Sequence, residues 1–231
     1  MALVLHDGEP IPGVLLLPAA AAPVPAALLL HGLTSRKEQM ADSVGRALLG
    51  VGIASLAIDL PLHGEREGSL ESLGWSDPMG LVRRWRLALE ECAIALDFLG
   101  AHERIDGARL ALVGYSLGSY LGTIVAARKE TVRALVVAAG GDLPVGTPAA
   151  TLARAVADPL RAVRRFAGRP LLVVHGRRDR TVRPDQAERL FAAAGEPKTI
   201  RWWDAGHWLP AEAIEDAARW LADACGRSAR A

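Results

Sequence analysis

The chain has 231 residues, of which 51% are hydrophobic and 23% charged, with a formal net charge of +1. That length can bury a substantial core as one large α/β domain or two small ones. The near-neutral charge, without a dense basic run, argues against a nucleic-acid partner. Two cysteines without a C-x-x-C, and scattered histidines without ligand spacing, argue against a metal centre or a disulfide framework.

The elements follow in chain order. "ALVLH" and "GVLLL" flank the turn chemistry of "DGEPIP" and predict an antiparallel pair of strands. Pro18, Pro23 and Pro25 interrupt the apolar stretch 14–30, so no membrane span is expected. The N-terminus has no basic segment leading into a long apolar core, so a cytoplasmic protein is expected. Ala26–Leu30 is a short, wholly apolar run suited to a strand covered on both faces. After the polar loop "HGLTSRKEQ", Met40, Val44, Ala47 and Leu48 recur at helical spacing until Gly50. "IASLAI" predicts the next buried strand, ending at Asp59, and "LPLHGEREGSLESLGWS" a long loop.

Asp77 followed by Pro78 has the chemistry of a helix start. Leu81, Trp85, Ala88, Cys92, Leu96 and Leu99 then keep to one helical face. "RLALVG", "ALVVAAG", "PLLVVHG" and "TIRWW" predict further strands, while 117–128, 184–194 and 210–224 predict helices. The tail "GRSARA" is expected to fray. Strands alternating with helices predict a parallel sheet with helices on both faces. The whole chain, 1–231, reads as a single domain. The irregular stretch 142–168 is too short for a core of its own and reads as a small cap insertion.

"GYSLG" (114–118) interrupts this pattern at a strand-to-helix junction. With 23 glycines in the chain, a G-x-S-x-G arises by chance in roughly one such sequence in ten, so its surroundings must decide. A serine hydroxyl is a weak nucleophile and needs a base within hydrogen-bond reach. A tight corner exposes Ser116, and the flanking Gly114 and Gly118 remove the side chains that would collide there. His207, in "WDAGHWLP" after the last strand, is the candidate base. Asp179, in "HGRRDRTV" just past the preceding strand, is the candidate carboxylate that orients it. In an open parallel sheet, residues beyond the carboxyl ends of the strands gather along one edge. Asp142 is the main rival for the acid, with Asp204 behind it.

"GYSLG", "HGRRDRTV" and "GHW", with "HGL" upstream, together resemble the α/β-hydrolase superfamily across nearly the whole chain. "DLPLHGERE" and the small size are similar to its compact esterase-like and dienelactone-hydrolase-like bacterial members. The resemblance implies an α/β-hydrolase fold with a mostly parallel sheet of about eight strands. It implies Ser116 as nucleophile, His207 as general base and acid, and Asp179 as its orienter. It also implies an oxyanion hole formed by the N–H groups of Leu117 and Leu33. Dienelactone hydrolases proper carry cysteine at the elbow, so Ser116 points away from that substrate.

The expected activity is therefore hydrolysis of a small-molecule carboxylic ester through an acyl-enzyme, without metal or cofactor. A thioester, lactone or short peptide substrate is the alternative within enzymes, and a non-catalytic binding scaffold the alternative outside them. Tyr115, Trp208 and Leu143 are the candidate substrate-binding residues, with Trp75 a weaker one. His31 is read as a brace for the oxyanion loop, His175 as a core histidine and Asp59 as a loop-pinning carboxylate. His63 is read as structural near the site mouth, and Arg66 and Arg83 as solvated surface.

Overall fold

The computed structural model describes residues 2–6, 9–68, 78–146, 151, 154–155 and 157–228. Eight strands form one sheet in the order β1-β2-β4-β3-β5-β6-β7-β8. They are β1 (Ala2–His6), β2 (Glu9–Leu16), β3 (Val24–Leu30), β4 (Ala54–Ile58), β5 (Ile105–Tyr115), β6 (Val132–Ala138), β7 (Leu171–Gly176) and β8 (Lys198–Trp203). The β1–β2 and β2–β4 pairings are antiparallel, and every pairing from β4 onward is parallel. Only β2 runs against the rest, so the other strands share one carboxyl edge.

Alternation along the central strands sends successive side chains to opposite faces. Leu28, Leu30, Leu110, Leu112, Leu135, Val137, Leu171 and Val173 enter one core. It is covered by α3 (Pro78–Ala101), α4 (Leu117–Arg128), α5 (Pro159–Arg165) and α6 (Pro184–Ala193). Ala27, Leu29, Ala111, Val113, Tyr115, Val136, Leu172 and Val174 enter the other. That face is covered by the helical stretch 37–50 and by α7 (Ala211–Ser228). The predicted face of α3 holds, with Ala88, Cys92, Leu96 and Leu99 buried.

The structure differs from the sequence reading at several points. The stretch 37–50 is not one regular helix. A π-helical segment (Ala41–Gly45) separates α1 (Lys37–Met40) from α2 (Arg46–Gly50). A Cβ on Gly45 would lie 3.0 Å from Leu16 Cδ1 and 3.1 Å from Ser55 Oγ, so the segment sits close on the sheet. β2 begins at Glu9, inside the predicted turn, because residues 9–12 pair with the edge strand β1, where prolines are tolerated. Within 142–168, Asp158 caps α5 by accepting the Leu160 N–H at 2.9 Å. Ala157, Ala162, Val163 and Phe166 join the core, which makes α5 part of the β6–β7 crossover. Residues 147–150, 152, 153 and 156 of the proposed cap lie outside the described residues. So do Asp7 and Gly8 of the first turn, the helix-start residue Asp77, Trp75, and 229–231 of the tail.

One buried ion cluster fixes the loop between β3 and α1 to the end of β4. Asp59 accepts the Lys37 N–H and Nζ at 2.8 Å each, and the Glu65 N–H at 3.0 Å. Lys37 Nζ also reaches Glu38 and Glu65, at 2.8 and 2.9 Å. Burial alone would lower the Lys37 pKa, yet these carboxylates together raise it above the usual lysine range. Removing one partner of such a pair strands the other charge in the interior. Lys37→Met is therefore expected to lower the unfolding free energy by about 3 kcal/mol, read from urea denaturation.

Candidate active site

β5 ends at Tyr115 and α4 begins at Leu117, so Ser116 alone makes the corner. Its backbone sits at φ 49°, ψ −113°, outside the regions that residues with a Cβ favour. The strand and helix pack closely enough to demand glycine on both sides. A Cβ on Gly114 would meet the Gly118 carbonyl oxygen at 2.3 Å, and one on Gly118 the Leu30 oxygen at 2.1 Å. The Ser116 N–H donates to the Ala138 carbonyl at 2.9 Å, tying the corner to β6. Ser116 remains partly exposed at the carboxyl edge.

Two loops from the same edge complete the arrangement. Ser116 Oγ lies 3.0 Å from His207 Nε2, on the loop that follows β8. His207 Nδ1 lies 2.8 Å from Asp179 Oδ2, on the loop that follows β7. The other Asp179 oxygen accepts the Thr181 and Val182 N–H groups at 2.8 and 3.0 Å. Those amides hold the carboxylate in one orientation. With Nδ1–H given to Asp179, Nε2 is left to accept from the serine hydroxyl.

The rival acids lie elsewhere. Asp142 is buried between two arginines, 2.8 Å from Arg154 Nη1 and 2.9 Å from Arg189 Nε. Its main chain is tied to Gln186. The Asp204 side chain is exposed and pairs with Arg178. Neither carboxylate is bonded to His207.

The loop after β3 lies against Ser116, since a Cβ on Gly32 would be 3.9 Å from Ser116 Oγ. Among the described residues neither the Leu33 nor the Leu117 N–H has a backbone acceptor. His31 braces this loop from inside. Its Nδ1–H donates to the Gly32 carbonyl at 2.8 Å, and its Nε2 accepts the Leu60 N–H at 3.1 Å. His63 packs on it with ring centroids 4.9 Å apart, and His63 Nδ1–H donates to the Pro61 carbonyl.

Trp208 is 75% exposed and Leu33 55%, so the loops after β8 and after β3 each present a large apolar side chain to solvent. Leu143 is half-buried, and its carbonyl accepts from Arg154 and Arg189. Arg66 is drawn into a bidentate pair with the buried Glu91, at 2.7 and 2.9 Å. Tyr115 is buried, and its hydroxyl is engaged by the His207 loop. The sequence reading assigned no such bond to Tyr115, nor burial to Lys37. A tyrosine or lysine beside a loop carries no local signal of where its long side chain will end. His175 is fully buried at the end of β7, its Nε2–H bonded to the Val182 carbonyl at 2.9 Å and 3.7 Å from Asp179 Oδ2.

Among the described residues no group of three His, Cys, Asp or Glu could hold a metal ion. Nor is any helix there long and apolar enough to cross a membrane.

Burial lowers the His31 pKa from 6.5 to about 4, against the smaller raising effect of its bond to Gly32. His175 is lowered for the same reason. The unfolded chain takes up these protons near pH 6.5 while the folded chain resists, so stability falls as pH drops through that interval. For His31 alone the loss between pH 6.5 and 4 amounts to up to about 3 kcal/mol. Urea titrations across this range are expected to give a shallower decline for His31→Gln than for wild type.

Residues 27–170 match the family model described as the alpha/beta hydrolase family. An uncharacterised protein of Mycobacterium tuberculosis is 27% identical over 180 residues, 75% of this chain and 59% of that protein. The chain thus spans about three fifths of the length of that curated relative. A solved cold-adapted esterase from an Arctic intertidal metagenomic library superposes with a TM-score of 0.72 at 25% identity, covering 96% of this chain and 91% of that one. Est1E from Butyrivibrio proteoclasticus, solved with ferulic acid bound, gives 0.79 at 16% identity over 96% and 98% of the two chains, a likeness of fold. The family match runs from β3 through the Ser116 corner to the start of β7, well over half of the sequence, and the chain belongs to the alpha/beta hydrolase family.

Proposed function

We propose that the protein is a serine hydrolase that cleaves a small-molecule carboxylic ester through an acyl-enzyme. The observation that carries this reading is the continuous path from Ser116 Oγ to His207 Nε2 at 3.0 Å and from His207 Nδ1 to Asp179 Oδ2 at 2.8 Å. A binding scaffold needs no base beside its serine. Membership of the family and the esterase among its structural neighbours support the same class of chemistry.

In this mechanism Ser116 Oγ attacks the acyl carbonyl while its proton passes to His207 Nε2. The carbonyl oxygen takes the electron pair, and the Leu33 and Leu117 N–H groups stabilise it, each contributing about 3 kcal/mol in the transition state. Asp179 holds the imidazole in its tautomer and stabilises the imidazolium without accepting its proton. Collapse of the intermediate breaks the bond to the leaving alkoxide, which receives the proton from His207. Water then attacks the acyl-enzyme as His207 takes its proton, and collapse breaks the acyl–Oγ bond while His207 returns that proton to Ser116 Oγ, releasing the acid. Trp208 and Leu143 line the substrate site in this reading. In this reading residues 1–231 act as one domain in the cytoplasm, with 142–168 as its small cap insertion.

An ester panel of graded acyl length is expected to show turnover. Ser116→Ala is expected to lose it by at least about ten-thousandfold, with the circular dichroism spectrum unchanged. A fluorophosphonate is expected to label Ser116 in the folded wild type, and a wild type that resists both ester and label would refute the reading. Asp179→Asn is expected to lose about a thousandfold or more in kcat. Asp142→Asn should instead lower Tm, by leaving two arginines without their buried partner, and keep kcat within about twofold. The opposite ranking would move the acid to Asp142.

A further inference from the structure

We propose that Tyr115 is a positioning residue that sets the reach of His207 to Ser116, an inference that rests on their roles as base and nucleophile. Tyr115 precedes the serine in the chain and turns its side chain to the opposite face, where α7 and the His207 loop meet. Its hydroxyl donates to the His207 carbonyl at 2.6 Å and accepts the Leu209 N–H at 2.9 Å. Among the described residues no backbone group bonds to either. The segment 207–209 is therefore held from the nucleophile's own strand.

These bonds close a ring. It runs from Ser116 Oγ to the His207 imidazole, through the His207 main chain to its carbonyl, across to the Tyr115 hydroxyl, and back along Tyr115 to Ser116. Drift of the His207 backbone away from the serine therefore works against the 2.6 Å Tyr115 bond as well as the 3.0 Å contact to the serine. Tyr115 and Leu209 border an apolar cavity of about 20 Å³, shared with Val44, Ala213 and Leu221, so the space under the loop is incompletely filled. The rings above add direction: Trp208 stacks on Tyr115 at 6.2 Å and 24°, and His207 meets the Tyr115 edge at 6.1 Å.

Tyr115→Phe removes the hydroxyl and keeps the ring, and Val44→Ala, in the same cavity wall, serves as the comparison for lost stability. In Tyr115→Phe, kcat on p-nitrophenyl butyrate and the rate of fluorophosphonate inactivation are expected to fall about tenfold to a hundredfold, with KM within about twofold. The His207 Nδ1 proton, bonded to Asp179, is expected as a downfield NMR resonance in wild type and to broaden by solvent exchange in Tyr115→Phe. Val44→Ala should retain both the rates of its folded fraction and the resonance. The proposal is overturned if Tyr115→Phe keeps its rates within about twofold of wild type, or loses no more than Val44→Ala at equal loss of Tm. Should the wild type neither turn over nor label, the hydrolase reading fails, and the resonance decides the clamp alone: unchanged in Tyr115→Phe, it overturns the proposal.

Discussion

Ser116 occupies a backbone conformation, φ 49°, that the rest of the site is built to enforce. A non-glycine residue held there costs on the order of 1–3 kcal/mol and persists only where its surroundings over-determine it. Here they do. Its N–H is taken by β6, and its carbonyl accepts both the Ser119 N–H at 2.9 Å and the Ser119 hydroxyl at 2.6 Å. The helix beyond it lies so close to β3 that no relaxation toward an ordinary turn is open without moving Gly118 off the Leu30 carbonyl. The strain is thus stored in the central strands, the part of the molecule with the deepest core. In exchange the hydroxyl stands clear of the sheet, where residues from other strands can reach it.

Which carboxylate reaches His207 follows from loop geometry rather than from which ones lie near a strand end. Asp142 and Asp179 are both buried just beyond the carboxyl ends of their strands, on β6 and β7. Two arginines, one from α6 and one from the stretch before α5, saturate the first with charge. The second receives only main-chain N–H groups on one oxygen, which leaves its other oxygen for a single strong acceptor role. Burial of a charge demands partners. At Asp142 the partners knit two crossovers together, and at Asp179 they leave a vacancy shaped for an imidazole.

Much of this architecture was legible in the sequence because it rests on period and on local turn chemistry. Wholly apolar runs such as "AALLL" and "PLLVV" announce strands buried on both faces, and the glycines around Ser116 announce a crowded corner. Parallel topology then brings strand ends together, so the juxtaposition of Ser116, Asp179 and His207 could be read from residues 28 and 91 positions apart. What stayed hidden depends on long side chains crossing between elements. Lys37 looks like a loop lysine and is buried by a carboxylate 22 residues away. Tyr115 looks like a pocket aromatic and spends its hydroxyl on a loop more than 90 residues distant. The π-helical segment in 37–50 is likewise unreadable, since nothing in the helical period marks where the sheet will press on Gly45.

The loops around Ser116 share one design. Each is fastened by a buried polar group that acts on backbone atoms: His31 and Asp59 on the loop after β3, His175 on the one after β7, and Tyr115 on the one after β8. A buried hydrogen bond contributes modestly when formed, but an unpaired buried partner costs about 1–3 kcal/mol. That asymmetry makes displacement of any of these loops costly, because several buried polar groups lose their partners at once. Burial lowers the pKa values of His31 and His175 and favours their neutral forms, and the neighbours of His31 take one donor and one acceptor rather than a charge. The precision of the site and the stability of its loops therefore come from the same few polar groups, and a substitution that loosens one should loosen the other.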